Sequence, residues 1–160
     1  MPIRPLERTD VGPLRDILEA TKVFRPEELE VAQDLMELSL ANPAQEDYEL
    51  YSDIEEDGRV LGYYCIGPTP MTDGTFDLYW IASDPAVHGQ GVGTRLLRHC
   101  EELVRQKGGR LIVVETSSQP SYEPTRKFYA RRGYREEARI QAYYKAGDDL
   151  VMYTKNLKED

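Results

Sequence analysis

The chain lacks any long apolar stretch. Its longest unbroken aliphatic run is Leu111-Ile112-Val113-Val114, far below the roughly 20 residues that cross a bilayer as a helix. Met1-Pro2-Ile3-Arg4 opens no leader of the basic-then-apolar type, so the expectation is a soluble cytoplasmic protein with no membrane partner. Cysteine and histidine are scarce. Cys65 and Cys100 form no CxxC pair, and His88 and His99 stand eleven positions apart with no third ligand nearby. That pattern suits no zinc site, predicts no metal, and fits a reducing compartment. Internal repeats and low-complexity linkers are also missing, which predicts one domain over residues 1–160.

What is present suffices for a core. Of 160 residues, 40% are hydrophobic, enough for one ordinary domain. The net charge of −9 argues against a nucleic-acid partner, because phosphate backbones are held by clustered Lys and Arg. Its distribution is uneven. From His88 to Arg135 ten basic residues meet four acids, a local +6 that leaves −15 on the rest of the chain. The basic segment is either a set of solvated helix faces or the landing place of a polyanion.

The pattern of the chain predicts alternating element types. A short strand near Pro2 to Leu6 leads to a helix that Asp10 can cap, with Leu14, Ile17 and Leu18 as its apolar stripe. A second helix starts near Pro26 and runs to about Leu40. Two strand-like runs, Tyr48 to Glu55 and Arg59 to Ile66, are joined by the turn dipeptide Asp57-Gly58 and predict an antiparallel hairpin. A third run spans Thr75 to Ala82. Leu96, Leu97, Cys100, Leu103 and Val104 then trace one side of a helix that stops at Gly108-Gly109. Leu111 to Thr116 reads as a central strand covered on both faces. A shorter helix from Ser121–Pro124 to Gly133 follows, then strands near Arg135 to Tyr144 and Asp149 to Asn156. The order predicts an α/β (α+β) fold: a mixed, mostly antiparallel central sheet of six or seven strands with helices on both faces. Edge pairing of the closing strands is expected to support a homodimer.

The most informative stretch is Asp84-Pro85-Ala86-Val87-His88-Gly89-Gln90-Gly91-Val92-Gly93-Thr94, between a strand and the strongest helix. Residues without Cβ let the backbone curl so that successive N–H groups converge on an anion, and the helix start adds partial positive charge. Pyrophosphate is the expected guest. The spacing is not a dinucleotide fingerprint, since Thr94 stands where G-x-G-x-x-G needs its last glycine, and no Gly-Lys-Ser/Thr follows.

In these residues the chain resembles the GCN5-related N-acetyltransferases (GNAT), whose coenzyme loop reads Arg/Gln-x-x-Gly-x-Gly/Ala. His88-Gly89-Gln90-Gly91-Val92-Gly93 matches it, after the strand Leu78 to Ser83. A second family signature, Asn-x-x-Ala-x-x-Phe-Tyr-x-x-x-Gly-Phe/Tyr, is similar to Tyr122 through Tyr134. His88 replaces the usual Arg or Gln, Tyr122 the usual Asn, and Thr125 the usual Ala. The likeness extends in element order from about Tyr48 to the end of the chain.

The resemblance implies transfer of an acetyl group from acetyl-CoA to an amine of a small molecule or peptide. It implies that the coenzyme contacts His88, Gly89, Gln90, Gly91, Val92, Gly93 and Thr94, that Ile81, Ala82 and Ser83 run beside its pantetheine arm, and that Tyr122 reaches that arm. A bulge near Trp80 or Ile81 is expected to open the strands there. Tyr129 is implied as the acid that protonates the departing thiolate, and a backbone N–H at Ile81 or Ala82 as the donor to the carbonyl oxygen. Asp77, Glu115 or an ordered water takes the amine proton. Tyr48, Tyr51, Tyr63, Tyr64, Tyr143 and Tyr144, interleaved with acids, suit a cationic acceptor. A second reading is an acyl-CoA sensor of the same fold that binds without turnover.

Overall fold

The computed structural model describes residues 3–158. Strand β1 (Ile3–Pro5) leads through a single 3-10 turn, Arg8–Asp10, into α1 (Val11–Thr21); Pro2, expected to begin that strand, lies outside the described residues. Asp10 does not cap α1 with its side chain. The preceding turn already has helical backbone angles, and the carboxylate turns inward instead. There it accepts from Arg4 at 2.7 and 3.0 Å, from Ser52 Oγ at 2.9 Å and from the Glu7 N–H at 2.8 Å. A buried charge is tolerated only when it is satisfied in this way.

Next come α2 (Pro26–Ala41), β2 (Glu49–Ile54), β3 (Val60–Pro68) and β4 (Thr75–Ser83). Then follow α3 (Val92–Gln106), β5 (Leu111–Ser117), α4 (Glu123–Arg131), β6 (Arg135–Lys145) and β7 (Asp148–Asn156). The seven strands form one sheet in the order β1-β2-β3-β4-β5-β7-β6. Every neighbouring pair is antiparallel except β4 and β5.

Two apolar layers cover the sheet. On one face α3 and α4 bury Leu96, Leu97, Cys100, Val104 and Tyr129 against Ile66, Leu78, Ile112, Val114 and Val151. On the other, α1 and α2 pack Leu14, Leu18, Ala32 and Met36 on Leu50, Val60, Tyr63 and Cys65. The second layer lies over β2, β3 and β4. In consequence β5 is not covered on both faces as its apolar run suggested: Ile112, Val114 and Thr116 are buried, Leu111 and Val113 are half-buried, and Glu115 is exposed. Alternation of side chains along a strand turns this one-sided cover into a period of two.

The pairing of β4 positions the site. It joins β5 over Thr75–Leu78 and Leu111–Val114, and beyond that rung the two strands part. On its other side Cys65 faces Trp80 while Ile66 faces Leu78, so Tyr79 is the extra residue of a bulge. The bulge lies one residue earlier than expected, at the place where the parallel pairing ends. Bulges bend a strand and increase its twist, which accounts for the divergence.

Strand β6 is the edge and is exposed along its whole length. Bulges at Glu137 and at Gln141–Tyr144 interrupt its pairing with β7. The second is held by Asp149, which accepts from the Ala142 N–H at 2.9 Å and from Arg139 at 3.0 Å. Ala142 there adopts φ +52°.

Candidate functional site

The loop after β4 is built from its own backbone. Asp84 accepts from the Ala86 N–H at 3.0 Å and from Arg59 at 2.7 Å, bonds that hold its carboxyl below the ordinary range. They fix a single turn, Pro85–Val87, with Val87 buried as an anchor. Gly89 and Gly91 follow with φ of +84° and +83°, and the space where a Cβ of either would stand is open. Their role is therefore conformational, since side chains rarely adopt those angles. The first intrahelical bond of α3 runs from the Arg95 N–H to the Gly91 oxygen at 2.9 Å. Val92, Gly93 and Thr94 thus lie in the first turn, where N–H groups have no acceptor within the helix. His88, Gly89 and Gln90 are exposed.

Gly93 does something different from its neighbours. It is helical, and a Cβ on it would stand 3.0 Å from Phe128 Cε1. Its bareness lets α4 approach α3. The same approach brings Arg132 onto the loop: Nε and Nη2 donate to Thr94 Oγ1 at 2.8 and 2.5 Å, and Nη1 to the Phe128 oxygen at 2.9 Å. The guanidinium also lies 3.9 Å from the Phe128 ring centroid. No spacing in the sequence singled out Arg132, because its partner is 38 residues away; the only signal was the basic excess of the segment.

Tyr129 lies in the α3 face, 2% exposed. Its ring packs on Phe128, Tyr134 and Tyr153 at centroid distances of 5.4, 5.5 and 6.3 Å. Tyr153 stands opposite Val114, and Val114 with Leu78 is the last rung before β4 and β5 part. The ring therefore lies beside the opening in the sheet. Burial raises its phenol well above the ordinary range, so it keeps its proton throughout neutral pH.

The two carboxylates lie on the opposite face. Phe76 and Leu78 point to α3, as do Ile112 and Val114, so Asp77 and Glu115 point away by strand alternation. Asp77 faces Val113 across the pair and accepts from Thr69 Oγ1 at 2.7 Å. Glu115 is two residues further along β5, past the last rung shared with β4. Surrounding protein, and then the Asp77 charge, raise its carboxyl above the ordinary value, although its tip reaches solvent.

Tyrosines complete this side. Burial first, and then Glu28, Tyr144 and Asp148, push the phenol of Tyr122 up to about 12; burial first, and then Glu115, Tyr143, Asp148 and Glu28, push that of Tyr144 up to about 12 as well. These groups lie near one another, at the start of α2, the end of β5, the β6 bulge and the start of β7. Across β4, Phe24 of the α1–α2 connection packs on Trp80 at 5.2 Å. Other tyrosines expected to meet an acceptor lie away from this group. Tyr63 and Tyr64 are core residues at 1% and 0% exposure, and Tyr51 stacks on Tyr64. Tyr48 and Tyr51 border a concavity of about 850 Å³ with Leu40, Phe76 and Lys107, at the opposite end of β4 from the glycine loop. Among the described residues no group of three His, Cys, Asp or Glu is placed to hold a metal ion, and no helix is long and apolar enough to cross a membrane.

Comparison with known proteins agrees with this fold. An uncharacterized N-acetyltransferase of Methanocaldococcus jannaschii is 33% identical over 102 residues, 63% of this chain and 62% of that protein. The chain thus matches about three fifths of that relative's length. A crystal structure from Desulfovibrio desulfuricans, of a protein assigned to the GNAT acetyltransferases, superposes with a TM-score of 0.90 at 41% identity, covering 97% of this chain and 98% of that one. An aminoglycoside 6'-N-acetyltransferase complexed with coenzyme A shares the fold at 19% identity, with a TM-score of 0.79 over 100% of this chain and 99% of that one. The model of the acetyltransferase (GNAT) family matches residues 14–134, and the chain belongs to that family.

Proposed function

We propose that this protein transfers the acetyl group of acetyl-CoA to a primary amine of a small molecule or peptide. One observation carries the reading: β4 and β5 part after Leu78 and Val114, with the glycine loop at the end of β4 and Tyr129 beside the opening. The loop fits a diphosphate, because Gly89 and Gly91 leave open space and the first turn of α3 offers unclaimed N–H groups. His88 to Thr94 hold that group, the backbone of Ile81, Ala82 and Ser83 lines the pantetheine arm as an added strand does, and Tyr122 borders the reacting end. Acetyl-CoA supplies an acetyl thioester as the acyl donor.

The chain's own groups then move two protons. Glu115 or Asp77, directly or through an ordered water, takes one from the amine as the N–C bond forms. Glu115 suits this better than an ordinary carboxylate, since its raised value makes it the stronger base. Tyr129 gives the other to sulfur as the C–S bond breaks, and an N–H of Ile81 or Ala82 on the β5 side donates to the carbonyl oxygen. The acid and the base lie on opposite faces of the sheet, so transfer runs through the gap between the strands. The acidic cluster of Glu28, Asp77, Glu115 and Asp148 draws the acceptor in as a cation.

Thiol release from acetyl-CoA, screened against polyamines, aminoglycosides, amino acids and peptides with free N-termini or lysines, tests the activity. A specific amine that releases thiol supports it; release by none of them, with the coenzyme bound, favours the acyl-CoA sensor, a reading supported by the deep packing of Tyr129 among aromatic rings. The proposal also takes the chain as one domain in a reducing, cytoplasmic setting, in keeping with one continuous sheet and two free, buried cysteines. A homodimer along β6 belongs to it as well, supported by exposed Ile140, Tyr143 and Tyr144; the bulges leave Ala138–Ile140 as the regular run.

A further inference from the structure

Most arginines in this acidic chain have a carboxylate partner: Arg4 with Asp10, Arg59 with Asp84, Arg95 with Asp53, Arg139 with Asp149. Arg110 and Arg126 have none but donate to backbone oxygens of Asp73, Ser117 and Gln119. Among the described residues Arg98, Arg131 and Arg132 are likewise without an acid, although acids outnumber bases 29 to 20, and only Arg132 of the three has a hydrogen-bond partner, in Thr94 and the Phe128 oxygen.

These three sit together. Arg98 is one helical turn after Thr94 on α3, and residues four apart share a helix face. Arg132 donates twice to Thr94 Oγ1, and Arg131 is the residue before it, the last of α4. Arg132 is half-buried, and burial, followed by the charges of Arg131 and Arg98, lowers its own proton affinity. Like charges held this close, with no acid between them, are costly unless an anion joins them. Arg132 is also preorganised: of its five N–H donors three are engaged, by Thr94 and Phe128, and two remain. Its side chain is fixed at the first turn of α3, beside the place proposed for the diphosphate.

We infer that Arg98, Arg131 and Arg132 form a second anion site, which receives the phosphomonoester on the ribose of coenzyme A and so distinguishes it from its dephospho form. The inference rests on the reading of the glycine loop as the coenzyme's diphosphate site. A planar, rigid fork of donors matches a phosphate better than a lysine would, and the dianionic monoester is the most highly charged phosphate of this ligand. The local +6 in the sequence thus has a structural focus, at the contact of α3 with α4.

Calorimetry with coenzyme A and with dephospho-coenzyme A tests this without any acceptor or turnover. The full chain is expected to bind coenzyme A about tenfold more tightly, the size of one or two charge-assisted hydrogen bonds in a half-exposed site. That ratio is expected to shrink with added salt and to approach one in an Arg98→Ala/Arg131→Ala variant, both of whose side chains are exposed and unpaired. Arg132→Lys, which keeps the charge but not the fork, is expected to lose part of it. Equal affinity for the two ligands in the unmodified protein overturns the inference and leaves the diphosphate reading standing. An arginine variant that weakens both ligands equally overturns it too, by assigning the cluster to the diphosphate. If neither ligand binds, the loop reading fails and the inference falls with it.

Discussion

The two faces of the parted strands are made in different ways. The side proposed for the coenzyme is mostly backbone: one unbroken segment, Asp84 to Thr94, whose turn, positive φ angles and helix start are local. The side proposed for the acceptor is all side chains, with Glu28, Asp77, Glu115, Tyr122, Tyr144 and Asp148 drawn from α2, β4, β5, the turn before α4, the β6 bulge and β7. The comparison teaches that a ligand common to a family can be held by a contiguous motif, while a specific one is met by residues that only the fold assembles.

Four measurements can break or sharpen that contrast. Tyr129 stands where the two sides meet, so Tyr129→Phe is expected to cut thiol release by about 10²- to 10⁴-fold, with coenzyme affinity by calorimetry changed less than about threefold. An unchanged rate would return Tyr129 to the aromatic core. Glu115→Gln is expected to lower kcat/KM by about 10²-fold and to change its pH profile. Because a base must be unprotonated, the rate of the unmodified protein falls as pH drops through the raised Glu115 value; the variant loses that limb. If the limb persists, Asp77 or a water is the base.

Gly91→Ala tests the backbone side alone. Left-handed geometry at φ +83° costs a residue with a Cβ about 1–2 kcal/mol, so coenzyme binding is expected to weaken about tenfold, while circular dichroism shows α3 intact. A variant that binds normally would mean that the curl is not needed. The smallest effect is expected from Glu28→Gln, which keeps the backbone bond at the start of α2 but removes one charge from the acidic cluster. The acceptor KM is expected to rise about two- to threefold, as for a partly exposed ion pair, with kcat and coenzyme affinity unmoved. A fall in kcat would place Glu28 nearer the chemistry.

Much of the fold was legible because it depends on short-range patterning. The heptad-like stripe of α3, the Asp57-Gly58 hairpin and the glycine loop all lie within a few residues of their causes. Asp10 departs from its expected role for the opposite reason. Its position suits a cap, but Arg4 and, from β2, Ser52 offered better partners than the helix start did. Tyr63 and Tyr64 look like recognition residues among acids, yet both faces of β3 are covered, by α1 and α2 on one side and α3 on the other. The apolar run of β5 suggested two covered faces, and the short reach of α1 and α2 left one of them open. Gly93 shows the same limit on a smaller scale: it reads as part of the phosphate turn, and it is spaced by the ring of Phe128.

Chain order alone thus determined the element types, the glycine-rich turn and the family, because hydrogen bonds within a turn and the periods of helix and strand are encoded between near neighbours. Tertiary structure decided where the sheet opens, which carboxylates come together and which arginines are left without an acid. Those outcomes depend on contacts between residues dozens of positions apart, whose charges and volumes interact only after the elements have packed.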